Sequence, residues 1–210
     1  MMRYRRPEIA PVSFVDRSGT EIPYGSRWSG ESPPEDTYSV TSNLERFRPL
    51  QTIADALVVG LVNSYDVDVD ESLSYAGDLM TQRDDVVRAV RVTPRCDEAA
   101  AITFAYTAFP SVIVHAGALH DFLFPVCGCD ACDESWQSAA DALEWTVATI
   151  AGGGYYERID HRRELGVEFS LTEPGVGSRS GTSRAVDYSP DRLASLPRGP
   201  WEAWPVRVDG

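Results

Sequence analysis

Between Val86 and Phe124 the chain carries three strand-type runs in close succession, and that stretch limits the fold more than any other. Val86 to Thr93 is rich in β-branched residues, Ala100 to Phe109 alternates Ile102, Phe104 and Tyr106 with Thr103, Ala105 and Thr107, and Val112 to Phe124 reads as a third strand bent at Gly117. The breaks fall at Pro94-Arg95-Cys96-Asp97-Glu98, at Pro110 and at Pro125. Connections that short join neighbouring strands in opposite directions, so the run predicts an antiparallel meander. If the second and third strands pair about Pro110, paired positions sum to about 220, which sets Phe124 opposite Cys96 with a shift of one for a bulge at Gly117.

A helix signal stands on each side of the meander. From Pro49 the residues Leu50, Ile53, Ala54, Leu57, Val58, Leu61, Val62 and Tyr65 recur at steps of three and one, an apolar stripe on one helical face, with Pro49 tolerated in the first turn. A second stripe, Trp136, Ala140, Leu143, Val147 and Ile150, predicts a helix over 133–151 that Gly152-Gly153-Gly154 stops. Two more strands follow at Tyr155 to Ile159 and Val167 to Leu171, joined by the charged turn Asp160 to Glu164. The expected fold is α+β: an antiparallel sheet of about five strands with two main helices on one face.

The core so defined spans residues 44–172. Residues 1–43 form an irregular arm, rich in Pro, Gly, Ser and charge, with one hairpin signal at Val12 to Ile22 that turns at Gly19. Residues 173–210 form an irregular C-terminal segment in which Ser189 and Pro190 open a short helix, and Trp201 and Trp204 pin the tail on the core or present an aromatic patch to a partner.

Length and composition narrow the function classes. A chain of 210 residues, 43% hydrophobic, can bury one core of ordinary size, and a formal charge of −13 with no basic face opposes nucleic-acid binding. An acidic surface suits, if any partner, another protein. The apolar stretches near Ala54 to Val62 and Ala99 to Val114 are too short or too interrupted to span a membrane, and no apolar run follows the arginines of residues 3–6, so the expected location is cytoplasmic.

Chemistry concentrates in Cys127-Gly128-Cys129-Asp130-Ala131-Cys132, which holds three of the four cysteines. In a reducing compartment such clustering reads as metal ligation, with unliganded thiols and redox-active thiols as the alternatives. Three thiolates at this spacing can converge on one zinc ion at about 2.3 Å each, and zinc needs a fourth ligand. The register above nominates Cys96, with His120 as its rival. The expected site is therefore Cys127, Cys129, Cys132 and Cys96, closed and structural. The redox alternative rests on Cys132 preceding a helix N-terminus, where the dipole lowers a thiol pKa.

Other catalytic patterns fail on inspection. Asp66, Asp68 and Asp70 resemble the opening of a calcium loop, but Glu71 and Gly77 stand where that loop needs glycine and glutamate, and a solvated acidic turn fits better. The three glycines follow a helix rather than precede one, and no lysine accompanies them, so they are not a phosphate loop. His115, His120 and His161 show neither protease spacing nor a nucleophile elbow, and His120-Asp121 lies in a strand, where a phosphohydrolase pair has no place.

The phrase Phe124-Pro125-Val126-Cys127-Gly128-Cys129-Asp130-Ala131-Cys132-Asp133-Glu134 resembles a family of uncharacterised actinobacterial proteins of unknown function. Glu45-Arg46-Phe47-Arg48-Pro49-Leu50, Tyr65-Asp66-Val67 and Thr107-Ala108-Phe109-Pro110 look like the same family, so the likeness covers Glu45 to Tyr155. It implies a bacterial cytoplasmic setting and no particular activity. The combined expectation is a non-enzymatic binding or accessory protein with a structural zinc, the alternative being an enzyme or redox protein that uses the thiols.

Overall fold

Pro49 opens α1 (Pro49–Ser64), whose apolar stripe buries Leu50, Ile53, Ala54, Leu57 and Leu61 completely. In the computed structural model, which describes residues 2–160, 166–184, 188–197 and 199–208, α1 packs against α2 (Trp136–Ala151), and both lie on one face of a five-stranded antiparallel sheet. The strands are β1 (Val67–Glu71), β2 (Val86–Pro94), β3 (Ile102–Thr107), β4 (Val112–Ala116) and β5 (His120–Phe124), in that spatial order. Val90, Val92, Ile102, Phe104, Tyr106, Val112, Val114, Phe122 and Phe124 face the helices and form the core with them. Burying a side chain of this size is worth about 1.5–3 kcal/mol, so the sheet–helix interface dominates stability.

The opposite face is covered in part by a 3-10 turn, Leu73–Asp78, with Leu79 packed on Ala105 and Ile113. β3 and β4 are thus buried on both faces, which explains why Val112, Ile113 and Val114 form an unbroken apolar run.

A second sheet, β6 (Tyr155–Asp160), β7 (Gly166–Glu173) and β8 (Gly177–Arg184), follows α2. Tyr155 and Leu171 join the main core, and Phe169 stacks on His120 of β5 with ring centroids 3.6 Å apart. The expected α+β architecture holds, but strand membership differs. Tyr155 to Ile159 and Val167 to Leu171 belong to the second sheet, while the main sheet gains β1. Val67–Glu71 is an edge strand rather than an acidic turn, because Val67, Asp68, Val69 and Asp70 alternate with the period of a strand. Asp68 pairs with Arg95 at 2.8 Å and Asp70 accepts the Tyr75 hydroxyl. Within the C-terminal segment, β8 forms from Gly/Ser-rich sequence that alternation does not mark. The expected turn at Asp160 to Glu164 lies, after Asp160, outside the described residues.

The meander register is corrected at Gly117. The chain reverses there, with Gly117 at φ +62°, so 112–124 is a hairpin of β4 and β5 rather than one bent strand. Phe124 pairs with Val112, Val112 with Tyr106, and Ala116 with Ile102. Cys96, just past the end of β2, and His120 therefore lie at the end of the sheet opposite to the one from which Cys127 emerges.

The N-terminal arm straps the helices. The Arg3 amide donates to Ser64 Oγ, the Tyr4 hydroxyl to Glu144, and Arg6 bridges Asp141 and Glu144 on α2. Farther on, Val15 bridges Glu21 across the Gly19 turn, whose loop Asp16 ties by accepting from the amides of Ser18 and Thr20. At the other terminus the Trp204 indole donates to the Ala100 carbonyl, and Tyr65 bridges Val206.

Candidate metal centre

β5 ends at Phe124, and the loop that follows is closed by its own glutamate. Glu134 accepts the amide N–H groups of Val126 at 3.2 Å and Cys127 at 3.0 Å, drawing the two ends of the loop together. α2 begins at Trp136, the first residue of its apolar stripe, rather than at 133, because Asp133 is left-handed (φ +50°) and Ser135 is the N-cap, accepting from the Ser138 amide.

The arm supplies the rest of the scaffold. The amides of Asp130 and Ala131 donate to the carbonyls of Val40 and Thr37, the Trp28 indole donates to the Ala131 carbonyl, and the Arg27 amide donates to Asp133. Arg46 donates to the carbonyls of Gly128 and Ser42. Its guanidinium, almost wholly buried, lies 4.3 Å from the Tyr24 ring and 4.4 Å from that of Phe47. The Asp130 carboxylate, also buried, accepts the Ser42 amide and sits 3.7 Å from both Arg27 and Arg46. Gly128 is pressed so closely to Phe109 that a Cβ there would come within 2.7 Å of the ring.

On this scaffold the Sγ atoms of Cys127, Cys129 and Cys132 all lie within 4.8 Å of one another, with Cys127 and Cys129 at 3.2 Å. Thiolates at about 2.3 Å from a tetrahedral zinc stand roughly 3.8 Å apart, which small side-chain rotations reach from here. Cys127 and Cys129 are half-buried and Cys132 is exposed, so the cluster opens to solvent on one side.

Cys129 and Cys132 are shifted in opposite directions. Cys129 is held below the usual thiol range by a hydrogen bond from Cys127, then by the Cys132 amide, whereas Cys132 is pushed up to about 12 by its hydrogen bonds with Cys127 and Cys129. The expected depression of Cys132 by the helix dipole is thereby reversed. The dipole acts within about one helical turn, and neighbouring thiolates at contact distance outweigh it. Thiolates this close repel one another, which a cation between them relieves.

The structure brings together three of the four expected ligands. Cys96 is not among them: its thiol faces Glu98 Oε2 at 3.5 Å at the far end of the sheet. His120, the rival, starts β5 four residues before Phe124, about 13 Å along the strand. No further His, Cys, Asp or Glu joins the cluster among the described residues. Arg27, Arg46 and Asp130 escaped the sequence reading, although an aspartate set between two cysteines was a signal for a buried anchor.

No curated protein and no solved structure matches the chain. The resemblance noted over Glu45 to Tyr155 has its counterpart in a family-level match that extends over nearly the whole chain. The chain belongs to a family of unknown function, DUF6226, whose model matches residues 10–208.

Proposed function

We propose that Cys127, Cys129 and Cys132 bind one thiophilic cation, zinc in a bacterial cytoplasm, and that the ion serves as a clasp between arm, sheet and α2 in a non-enzymatic binding or accessory protein. The observation that carries this reading is the convergence of three thiols on a loop held by Glu134 and Arg46. The fourth position faces solvent and takes a water or a ligand from another protein.

An open position is also what catalytic zinc requires, but two features favour the structural role. Three thiolates leave a bound Zn²⁺ with a net negative site, which weakens its pull on water. The loop glutamate, Glu134, is occupied by the amides of Val126 and Cys127, and His115 and His120 lie toward the other end of the sheet, so neither histidine faces the cluster. A reducing compartment is proposed because the site works only with thiols kept from oxidation.

Metal analysis of protein purified without chelator tests the reading. One zinc per chain supports it, and Cys127→Ser should lose metal and melting temperature together; a variant that loses neither refutes it. The 3.2 Å contact of Cys127 with Cys129 favours a second reading, redox-active thiols. Metal-free protein whose thiols react rapidly near neutral pH supports that one instead.

A further inference from the structure

The register places one polar row across all five strands of the main sheet, on the face turned away from the helices: Asp70 beside Arg91, Arg91 beside Thr103, Thr103 beside His115 and His115 beside Asp121. A cavity of about 190 Å³ stands over the middle of this row. Arg91, Thr103 and His115 form its floor, and Asp78, Gly117 and Ser195 contribute to its walls. The walls are built rather than incidental. Asp78 accepts from the Thr103 hydroxyl at 2.6 Å and from Arg91 at 3.1 Å, and Arg192 fastens the turn that carries Asp78 by donating to the carbonyls of Gly77, Asp78 and Leu79.

His115 is the group this arrangement leaves unsatisfied. Its side chain is 7% exposed, and its Nδ1 meets Asp121 Oδ1 at 2.7 Å, a contact that fixes the orientation of the ring. Asp121 is itself fixed, since its other oxygen accepts the Met80 amide. The remaining nitrogen, Nε2, has no hydrogen-bond partner among the described residues, while the residue lines the cavity.

We propose that the cavity binds a small oxyanion, a short-chain carboxylate or inorganic phosphate, through His115 Nε2 and the Arg91 guanidinium. The charges favour an anion: Arg91 and Arg192 both line the cavity, against one lining carboxylate, Asp78. The size fits too, since about 190 Å³ is near six water volumes and below the roughly 300 Å³ at which drug-sized ligands begin, which leaves no room for a nucleotide. Such a site is independent of the cysteines, which lie beyond the other end of β5.

Imidazole ¹H–¹⁵N correlation spectra test this, because the chain has only three histidines. Titration with inorganic phosphate, and separately with acetate, should shift the His115 Nε2 resonance saturably with a Kd in the millimolar range, and the stronger probe identifies the source of the oxyanion. Arg91→Gln should weaken that binding about tenfold or more, as expected for losing a charge-assisted contact, while Cys127→Ser leaves it unchanged. No shift with either probe in folded wild-type protein overturns the proposal, as does equal binding by wild type, Arg91→Gln and His115→Gln. The wild-type titration decides even if a variant fails to fold.

Discussion

Glu157 offers the sharpest test of how this fold is held. It is wholly buried, yet it makes three hydrogen bonds: Oε1 accepts the Leu119 amide at 2.8 Å, and Oε2 accepts the Ala118 amide and the Trp201 indole, both at 3.0 Å. Burial pushes its carboxyl up, against the pull of these donors. The side chain thus joins β6 to the Gly117 turn and to the C-terminal tail. Glu157→Gln keeps the volume but replaces one accepting oxygen with a nitrogen that cannot accept. At least one donor is then left facing an N–H. A lost bond to a buried polar group of this kind costs about 1.5–3 kcal/mol, and at about 2–4 °C per kcal/mol the midpoint should fall by roughly 4–8 °C for a loss near 2 kcal/mol. Urea unfolding followed by tryptophan fluorescence measures the loss, and amide hydrogen exchange should accelerate selectively at Ala118 and Leu119. A change below about 0.5 kcal/mol, the scale of an ordinary surface substitution, would refute the claim that this carboxylate holds the turn.

Three further outcomes follow from the same geometry. Asp130→Ala leaves the Arg27 and Arg46 guanidinium groups facing each other without their common counter-charge, which should cost about 3 kcal/mol and, if the loop positions the thiols, lower metal affinity roughly tenfold or more in chelator competition. Gly128→Ala forces a Cβ against the Phe109 ring, an overpacking cost of about 1–3 kcal/mol readable as a lowered urea midpoint. Burial, the largest cause, lowers His120 to about 4 in the folded chain against 6.5 unfolded, so below pH 6.5 the unfolded state binds the extra proton. Its contribution is complete above pH 6.5 and is lost as pH falls toward 4, by about 3 kcal/mol at most; His120→Phe should flatten that part of the pH–stability curve.

How far the sequence could be read depended on whether the deciding contact was local. α1 was legible because Pro49 and a stripe from Leu50 to Leu61 sit within one element, and the cysteine cluster was legible because six consecutive residues carry it. Gly117 was not. A lone glycine in an apolar run is compatible with a bulge or with a full reversal, and what selects reversal is the pair of amides at Ala118 and Leu119 docking on Glu157, about forty residues away. The parity of β6 carried a hint, since Glu157 shares a face with buried Tyr155 where an apolar residue is expected. That one turn then decided the site. Reading 112–124 as a single strand sent Cys96 toward the cysteines, whereas reversal separates them and leaves Cys127, Cys129 and Cys132 as a cluster of three thiols. The same reversal aligns His115 with Asp121 and so creates the polar row over which the cavity stands. The separation of Cys96 from the other cysteines and the pairing of His115 with Asp121 therefore both follow from the turn that Glu157 holds. It follows that Glu157→Gln should loosen the cavity wall at Gly117 while leaving the thiol loop, held by Glu134, Arg46 and the arm, in place.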